Sequence, residues 1–351
     1  MSDEPDDTPA TVVVDAARLE RLASSALRRA GASEASLAAA VRAMMHASLH
    51  GIDSHGVRLT EHYCRMLCSG RIKRAPELRV EQSAAASAMI DADDGLGHYA
   101  SYRAVEVGCR LAAAAGIAGV GVRRSSHYGA AGAYALAGAQ QGFICFSTTN
   151  SDSMVALHNG AERFHGTNPL ALAAPVPGRR PWLLDMATSS IPMNRVLLYL
   201  SLGKELPMNV AADRNGSPSI DPKEVEMLLP LGGAEYGYKG AGLAGMATLL
   251  SAVLTGGVLD SDAIPMYDDA DQATPRNIGH FFWFIEPSYY VGRSRYEQGI
   301  LRYLESLRAA PARAGTAGVM APGDREWRIA EQRSAHGIPI DQDTARFLGA
   351  A

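Results

Sequence analysis

The sequence predicts a mixed α/β protein whose two ends are helical and whose middle is rich in strands. Apolar residues recur at helical spacing over 16–70 and again over 294–310, whereas short β-rich runs dominate the segment between them. The dinucleotide-binding signature G-x-G-x-x-G is incomplete, because "GVGVRR" lacks the third glycine and "GAAGAYA" lacks the first strand-linked pair. We therefore expect an α/β fold that is not a Rossmann fold.

Three helices are predicted near the N-terminus. Asp15 precedes "AARLERLASSALRRAG" as an N-cap residue, and Gly31 ends that helix. Ser33 caps "EASLAAAVRAMMHASLHG", and Gly51 ends it. A third helix covers "RLTEHYCRMLCSGRI" and ends at Gly70. The segment "GIDSHGV" therefore lies at the joint between the second and third helices.

The middle of the chain changes to strand periodicity near Pro76. The segments "GIAGVGVRRSS", "AAGAYALAGAQQ" and "GFICFSTTN" predict strand, helix and strand in that order, and "PWLLDMATS" and "IGHFFWFIEP" predict two more strands. The small-residue segment "YKGAGLAGMATLLSAVLTGG" predicts a long helix suited to close packing in a core. The helix predicted for "SRYEQGILRYLESLRAA" is expected to pack on the N-terminal helices.

His55 in "GIDSHGV" is difficult to explain by local structure alone. If Asp53 or Ser54 caps the third helix, the positive helix end lowers the pKa of His55, yet a general acid must hold a proton near neutral pH. A carboxylate such as Asp185, which interrupts the apolar run "WLLDMA", would favour the imidazolium form. Spacing alone leaves two interpretations of Asp185 open: a hydrogen-bonded strand-end residue, or a carboxylate that orients a catalytic histidine.

Polar side chains follow three of the predicted strands. The segments "STTNSD", "HGTNP" and "LDMATSS" could supply hydrogen-bond donors to phosphate, ribose or a carboxamide from Asn150, Thr167, Asn168, Thr188 and Ser189. Each residue taken singly is more often a turn former. One turn explains one cluster, however, and a shared pocket explains all three.

The segment "RRSSHYGAAG" follows a strand and opens a helix, so its backbone N–H groups could receive a phosphate. The simpler interpretation, a turn eased by glycine and capped by Ser125 or Ser126, is favoured on this signal alone. His127 fits the simpler interpretation less well, because an imidazolium is disfavoured at a helix N-terminus.

Composition and charge exclude several functional classes. The 351 residues carry a formal net charge of -4, which gives no basic field for nucleic acid or an anionic membrane surface. The acidic opening "MSDEPDDTPA" is unlike a secretory signal, and no segment runs eighteen uncharged apolar residues, so we expect a cytoplasmic protein with a frayed N-terminal tail. The four cysteines form no C-x-x-C pair, which predicts free thiols and no metal site.

Eight segments, taken in order, resemble the type-2 malate/L-lactate dehydrogenase family, also called L-sulfolactate dehydrogenase-like. They are "GIDSHGV", "SSHYGAAGAYA", "TTNSDS", "GTNPLALAAP", "LLDMATS", "DPKEVEMLLPLGG", "YKGAGLA" and "GHFFWFIEPS". The resemblance implies a dimeric oxidoreductase that transfers hydride between NADH or NADPH and a small 2-oxo acid, 2-hydroxy acid or cyclic imino acid. It also implies a central, largely antiparallel sheet domain and a helical domain made from both chain ends.

The same resemblance implies domain bounds and residue roles. Residues 11–75 and 291–351 would form the two parts of the helical domain, and residues 76–290 the cofactor-binding and catalytic domain. His55 would be the general acid, Ser54 would line the site beside it, and Asp185 would be the acidic residue near the reaction centre. The cofactor would contact His127, which also meets the substrate, and Gly129, Asn150, Ser151, Thr167, Asn168, Thr188, Ser189, Lys239 and Gly240.

The substrate anchor is where this chain departs from the family pattern. Many relatives carry arginine three residues after the glycine of "DSHG", whereas this chain has Leu59 there and Arg58 one residue earlier. Either Arg58 or Arg195 could bind the substrate carboxylate, because a guanidinium pairs with a carboxylate through two hydrogen bonds. At most one of the adjacent residues Arg123 and Arg124 is expected to meet the 2'-phosphate of NADPH.

Two other functions remain open from the sequence. One is a nucleotide- or metabolite-binding protein that keeps this scaffold without turnover, suggested by the departures around Arg58 and Asn194. The other is a histidine-dependent lyase or hydrolase that needs no cofactor, which leaves the polar strand ends without an obvious ligand.

Overall fold

The computed structural model describes residues 11–267, 270–316 and 318–350. The acidic tail predicted at the N-terminus, residues 1–10, lies outside this range. The helices are α1 Ala16–Arg29, α2 Glu34–Leu49, α3 Thr60–Ser69, α4 Gly97–Ala115, α5 Gly132–Ala139, α6 Met193–Ser201, α7 Gly233–Tyr236, α8 Tyr238–Thr248, α9 Ser288–Val291, α10 Arg293–Arg308, α11 Asp324–His336 and α12 Gln342–Leu348. The strands are β1 Thr11–Val14, β2 Arg79–Ala84, β3 Ser87–Asp91, β4 Ile117–Ser125, β5 Ile144–Thr149, β6 Val155–Ala156, β7 Arg163–His165, β8 Leu170–Ala174, β9 Trp182–Met186, β10 Ala211–Ala212, β11 Met227–Leu228, β12 Ile278–Ile285 and β13 Ile338–Asp341.

A seven-stranded sheet organises the middle of the chain. Its strand order is β2-β3-β4-β12-β5-β8-β9, and β3 runs parallel to β4 while the other neighbours are antiparallel. This order confirms the expected mixed, largely antiparallel sheet and excludes the parallel sheet of a Rossmann domain. Helices α4 and α5 cover one side, where Phe282 and Phe284 of β12 pack among buried residues such as Val120, Val122 and Tyr134.

Elements from both chain ends share a second apolar core. Strand β1 pairs with β13, and α1, α2 and α3 pack with them around Leu19, Met44, Leu67, Ile338 and Leu348. The predicted caps of the first two helices are confirmed, because the side chain of Asp15 accepts a hydrogen bond from the backbone N–H of Arg18 and that of Ser33 from Ser36.

The predicted cap of the third helix is wrong. Two short 3-10 turns, Asp53–His55 and Val57–Leu59, precede α3, whose first residue has no side-chain cap. Asp53 instead forms an ion pair with Arg333 of α11, at 2.9 Å between Oδ2 and Nη2. A local cap would have accepted a hydrogen bond from the backbone N–H of Val57. This N–H donates instead to Ser48 Oγ of α2, at 3.0 Å.

One expectation about helix packing is wrong, and another is confirmed in part. Helix α10 does not pack on the N-terminal helices. Its apolar residues around Leu304 pack instead against Val176, Trp182 and Ala321, beside the β8–β9 edge of the sheet. The small-residue helix α8 ends at Thr248 in a π-helical turn, Leu249–Val253. Ala244 and Ala247 are buried, and Ala247 packs with Phe146 of β5 and Leu170 of β8, whereas Leu249, Val253 and Leu254 are exposed.

No helix in the described part of the chain is both long enough and apolar enough to cross a membrane.

Candidate active site

A cavity of about 910 Å³ opens beside the joint between α2 and α3, a size typical of small-molecule sites. Its walls come from the Gly51–His55 segment, the connection from β4 to α5, the ends of β5 and β9, and the start of α11. Ten of the residues predicted from the sequence line it: Ser54, His55, His127, Gly129, Asn150, Ser151, Thr167, Asp185, Ser189 and Arg195. The three polar clusters thus reach one cavity, as the shared-pocket interpretation expects.

His55 is held by its neighbour and stacks on a second histidine. Ser54 Oγ lies 2.8 Å from His55 Nδ1, and the rings of His55 and His127 are stacked with centroids 5.6 Å apart. Burial lowers the pKa of His55 to about 4, so the imidazole is neutral at pH 7. Because Nδ1 is engaged, Nε2 is the nitrogen available to a substrate.

His127 has a matching support from the helical core. The hydroxyl of the fully buried Tyr63 lies 2.7 Å from His127 Nδ1. Burial, reinforced by the neighbouring His55, His98 and His62, lowers the pKa of His127 well below its ordinary value. The cavity therefore presents two neutral imidazoles, each fixed through Nδ1 by a different hydroxyl.

Asp185 shares the cavity but does not pair with His55. Its Oδ2 accepts a hydrogen bond from the backbone N–H of Gly132, at 2.9 Å, where α5 begins. Burial raises the pKa of this carboxyl to about 7, although the Gly132 hydrogen bond opposes the shift. The expectation that Asp185 favours the imidazolium form of His55 is therefore wrong, because burial alone sets the pKa of His55.

Gly132 is required by this arrangement. A Cβ placed on Gly132 would lie 2.6 Å from Asp185 Oδ2 and 3.1 Å from its Cγ. In the sequence, Gly132 indicated only the start of a helix. In the structure, its lack of a side chain lets the Asp185 carboxylate approach the first turn of α5.

The polar strand ends divide into cavity residues and their supports. Ser151 Oγ is buried and has no hydrogen-bond partner in the described part of the chain, so it is available to a ligand. Asn150 Nδ2 donates to Val258 O, and Asn150 Oδ1 accepts from the backbone N–H of Gly279. The amide of Asn150 therefore stabilises the loop around it. The backbone N–H and the hydroxyl of Thr188 both donate to Thr167 O. Thr188 supports the cavity wall without lining it.

Asp260 completes that support and was not foreseen from the sequence. Its Oδ2 accepts hydrogen bonds from Asn168 Nδ2 at 2.6 Å, Thr248 Oγ1 at 2.9 Å and Gly166 N at 3.1 Å. Burial alone would raise the pKa of Asp260, but the hydrogen bonds, including one with His165, together lower it. Asn168, predicted to contact the cofactor, is buried behind the cavity and serves this network. The sequence "GVLDSD" offers only a turn signal here.

Three other predicted contacts lie outside the cavity lining. Arg58 is exposed on the 3-10 turn Val57–Leu59. Lys239 stands over the rings of Tyr236 and Tyr238, and Gly240 packs against the backbone of Leu231.

The pair Arg123 and Arg124 also lies elsewhere. Arg124 forms ion pairs with Asp91, Asp93 and Asp94 on the surface, and Arg123 lies 3.9 Å from Asp91. Neither lines the cavity. The expectation that one of them meets a 2'-phosphate is not supported by their position.

Arg276 is a cavity residue that the sequence did not reveal. It is only 7% exposed, and it lines the cavity just before β12 begins. Its Nη2 pairs with Asp152, and its Nε donates to Ile264 O at 2.7 Å. Nothing in "TPRNIGH" marks this arginine as more than a residue at a strand start.

The family pattern described as malate/L-lactate dehydrogenase matches residues 14–348. The chain belongs to this family. Malate dehydrogenase from Pyrococcus horikoshii is 35% identical over 303 residues, covering 85% of this chain and 82% of the relative. Ureidoglycolate dehydrogenase (NAD(+)) from Escherichia coli K12 is 33% identical over 330 residues, covering 94% of this chain and 93% of the relative.

Solved structures agree on the fold. The malate dehydrogenase structure from Pyrococcus horikoshii OT3 matches with a TM-score of 0.87 at 30% identity, covering 99% of each chain. The structure of delta1-piperideine-2-carboxylate reductase from Pseudomonas syringae matches with a TM-score of 0.83 at 29% identity, covering 97% of this chain and all of the other. The predicted family fold is confirmed, and this member of the family is an oxidoreductase.

Proposed function

We propose that this oxidoreductase transfers hydride between the nicotinamide of NADH or NADPH and C2 of a small 2-oxo or 2-hydroxy acid, with His55 as the general acid/base. The observation that carries the proposal is the pair of neutral imidazoles, His55 and His127, each held through Nδ1 on the wall of one cavity. The relatives named malate and ureidoglycolate dehydrogenase support a hydroxy-acid substrate.

The cavity residues fit a nicotinamide cofactor. Ser151 Oγ is a buried polar atom with no partner among the described residues. Gly129 has a left-handed φ of 77°, which favours glycine, and a Cβ there would lie 3.3 Å from His98 Nε2, so the wall carries no side chain at this point. Ser151, Thr167, Gly129 and Ser189 would hold the dinucleotide by hydrogen bonds and close backbone approach. When bound, the nicotinamide supplies the hydride chemistry, and the protein supplies orientation and proton transfer.

The proton step follows from the state of His55. A neutral imidazole with a pKa of about 4 is prepared to accept the hydroxyl proton of a 2-hydroxy acid at Nε2. This step requires the tautomer that carries its proton on Nδ1, in which Ser54 Oγ accepts the hydrogen bond from Nδ1–H and Nε2 is free to take the proton. In the reverse direction the same nitrogen must carry a proton, and a bound substrate carboxylate would raise the pKa of His55 toward that state.

His127 is the nearest alternative to His55 for this role. It is equally well held, by Tyr63, and its ring stacks on that of His55. The resemblance assigns the acid to His55 and gives His127 to the substrate and nicotinamide region. Separate replacement of the two histidines by asparagine distinguishes these assignments through kcat.

We also propose that the chain acts as the homodimer that the resemblance implies. The exposed side chains of Leu249, Val253 and Leu254 on the outer face of the π-helical turn would be covered by a second copy. Sedimentation velocity at micromolar concentration tests this, and a monomer under these conditions would contradict it.

The function is tested by following oxidation of NADH and NADPH with a panel of 2-oxo acids and cyclic imines. Turnover with at least one panel member is expected, and His55→Ala should abolish most of it. Absence of turnover across the panel, or an undiminished rate in the variant, would contradict the proposal. Dinucleotide binding without turnover would favour a binding protein, and failure to bind either dinucleotide in a fluorescence titration would favour a cofactor-free lyase or hydrolase.

A further inference from the structure

We propose that Arg276 binds the carboxylate of the substrate. The inference rests on the proposed function and deepens it, since it names the anchor that neither Arg58 nor the family pattern supplies. Three arginines of the described chain line the cavity: Arg195, Arg276 and Arg325. Arg195 and Arg325 are exposed, whereas Arg276 is buried. Water and salt screen the attraction between a carboxylate and an exposed guanidinium, and they screen it much less when the guanidinium is buried.

Arg276 is held in one orientation before any substrate arrives. Nε donates to Ile264 O at 2.7 Å, and Nη2 pairs with Oδ1 of Asp152. Asp152 is itself fixed, because its Oδ2 accepts from the backbone N–H of Met266 at 3.2 Å. A guanidinium fixed in this way loses little conformational entropy when it binds a ligand.

The guanidinium still has donors to offer. No hydrogen bond joins Arg276 Nη1 to another described residue, and this nitrogen carries two N–H groups. Arg276 lines the cavity, so these N–H groups are the donors that it can offer to a bound carboxylate. The charge of Asp152 offsets part of the guanidinium charge, which keeps the cavity from holding an uncompensated buried cation before substrate binds.

Arg276 also lies at the correct end of the cavity. It forms a small adjoining pocket together with His127 and His62. Its positive charge contributes to the lowered pKa of His127, whose ring stacks on that of His55. A carboxylate bound at Nη1 would therefore lie beside the two imidazoles, with the adjacent C2 atom near the proton-transferring nitrogen.

The competing anchors are less well placed. Arg58 is exposed and lies outside the cavity lining. Arg325 is exposed and lies 3.5 Å from Glu326. Arg195 lines the cavity from α6 but is exposed.

The test compares an acid substrate with its uncharged carboxamide in wild type and in Arg276→Gln. We expect the KM for the acid to rise about 30-fold or more, the loss typical of removing one partner of a buried charge pair. The KM for the carboxamide should change little, so the preference for the acid falls toward parity. Dinucleotide affinity should stay within about threefold of wild type, because the dinucleotide does not use this anchor.

Arg276→Lys provides a second variant that keeps a positive charge beside Asp152. It is expected to fold like the wild type and to lose part of the acid preference, since an ammonium lacks the planar fork. Arg28→Gln is the control, because it removes an exposed arginine that pairs with Glu34 far from the cavity.

The outcomes separate this inference from the proposed function. If wild type shows no turnover, the proposed function fails. If wild type turns over and both Arg276 variants keep the full preference for the acid, only the anchor assignment is wrong. An equal rise in KM for the acid and the carboxamide would mean that Arg276 is only a structural partner of Asp152. Loss of the acid preference in Arg195→Gln or Arg58→Gln, and not in the Arg276 variants, would assign the anchor to that other arginine.

Discussion

Ser54 Oγ and His55 Nδ1 are 2.8 Å apart, and this contact between chain neighbours fixes the imidazole that faces the cavity. Both residues belong to the 3-10 turn Asp53–His55 that precedes α3. The hydroxyl of Tyr63, in the helical core, forms the equivalent hydrogen bond with Nδ1 of His127. Both hydroxyls that position the imidazoles thus come from the N-terminal helical region, Ser54 from the turn before α3 and Tyr63 from α3.

Replacement of His55 should affect the chemical step more than binding. We predict that His55→Asn lowers kcat by about a hundredfold or more, the usual contribution of a positioned general acid/base. Ser54→Ala, which removes one neutral hydrogen bond to the ring, should cost only about fivefold to tenfold. Steady-state kinetics with a dinucleotide-binding titration as control check both, and a weaker effect for His55→Asn than for Ser54→Ala would contradict the assignment.

Asp185 should impose a pH dependence near neutrality. Its carboxyl has a pKa of about 7, so it is protonated below that pH and ionised above it. We predict an inflection near pH 7 in the profile of kcat/KM, and we predict that Asp185→Asn removes it, since asparagine can still accept the hydrogen bond from Gly132.

The exposed aspartate Asp213 provides the matched control for Asp185. Its carboxyl caps a surface turn by accepting from the backbone N–H groups of Asn215 and Ser217. Asp213→Asn should leave the pH profile of kcat/KM unchanged. An inflection near pH 7 that persists in Asp185→Asn would mean that another group titrates there.

Buried histidines should make the fold sensitive to acid. Burial lowers the pKa of His46, His98 and His280 to about 3 and that of His55 and His62 to about 4. The unfolded state, with histidine pKa near 6.5, then binds more protons than the folded state below that pH. Stability is therefore fully present above about pH 6.5 and falls as the pH drops toward 4, by up to about 1.4 kcal/mol per pH unit for each group.

Denaturant unfolding across that pH window checks this expectation. The contribution of Asp185 to the pH dependence of stability has the opposite sign, because its raised pKa makes the folded state bind more protons than the unfolded state. Asp185 is one group, however, whereas several histidines act in the other direction. His46→Gln, which lies outside the cavity, should reduce the slope of stability with pH by the share of one histidine. An unchanged slope in that variant would contradict the account.

The network around Asp260 should matter for cofactor affinity. Asp260→Asn replaces a charged acceptor of three hydrogen bonds by an amide, and we predict a loss of about 2 kcal/mol in the free energy of unfolding. The KM for the dinucleotide should rise, because Thr167 loses the support behind it. Asp262→Asn, at an exposed position two residues later, is the matched control, and equal effects of the two substitutions would contradict the role of the network.

Local signals in the sequence predicted what local physics decides. The caps Asp15 and Ser33 were predictable because each serves a backbone N–H three residues away. Asp53 looked like the same kind of residue, but its partner, Arg333, is 280 positions distant. Asp53 pairs with the guanidinium of Arg333 and caps no helix, and a contact so distant in sequence cannot be derived from local spacing.

The site shows the same limit. The three polar segments could be assigned to one cavity because strand ends bring polar residues together. The distinction between Thr167, which lines the cavity, and Asn168, which supports it, depends on Asp260 and could not be derived from spacing. Arg276 could not be foreseen either, since its burial and its contact with Asp152 join segments 124 residues apart.

The most direct test of the central claim is label transfer. Reduced dinucleotide carrying deuterium at both C4 positions of the nicotinamide is incubated with the protein and a 2-oxo acid that supports turnover, and the product is examined by mass spectrometry and NMR. The account predicts deuterium at C2 of the 2-hydroxy acid, formed at least about a hundredfold more slowly by His55→Asn. Product without deuterium at C2, or label transfer at the wild-type rate in the variant, would contradict it.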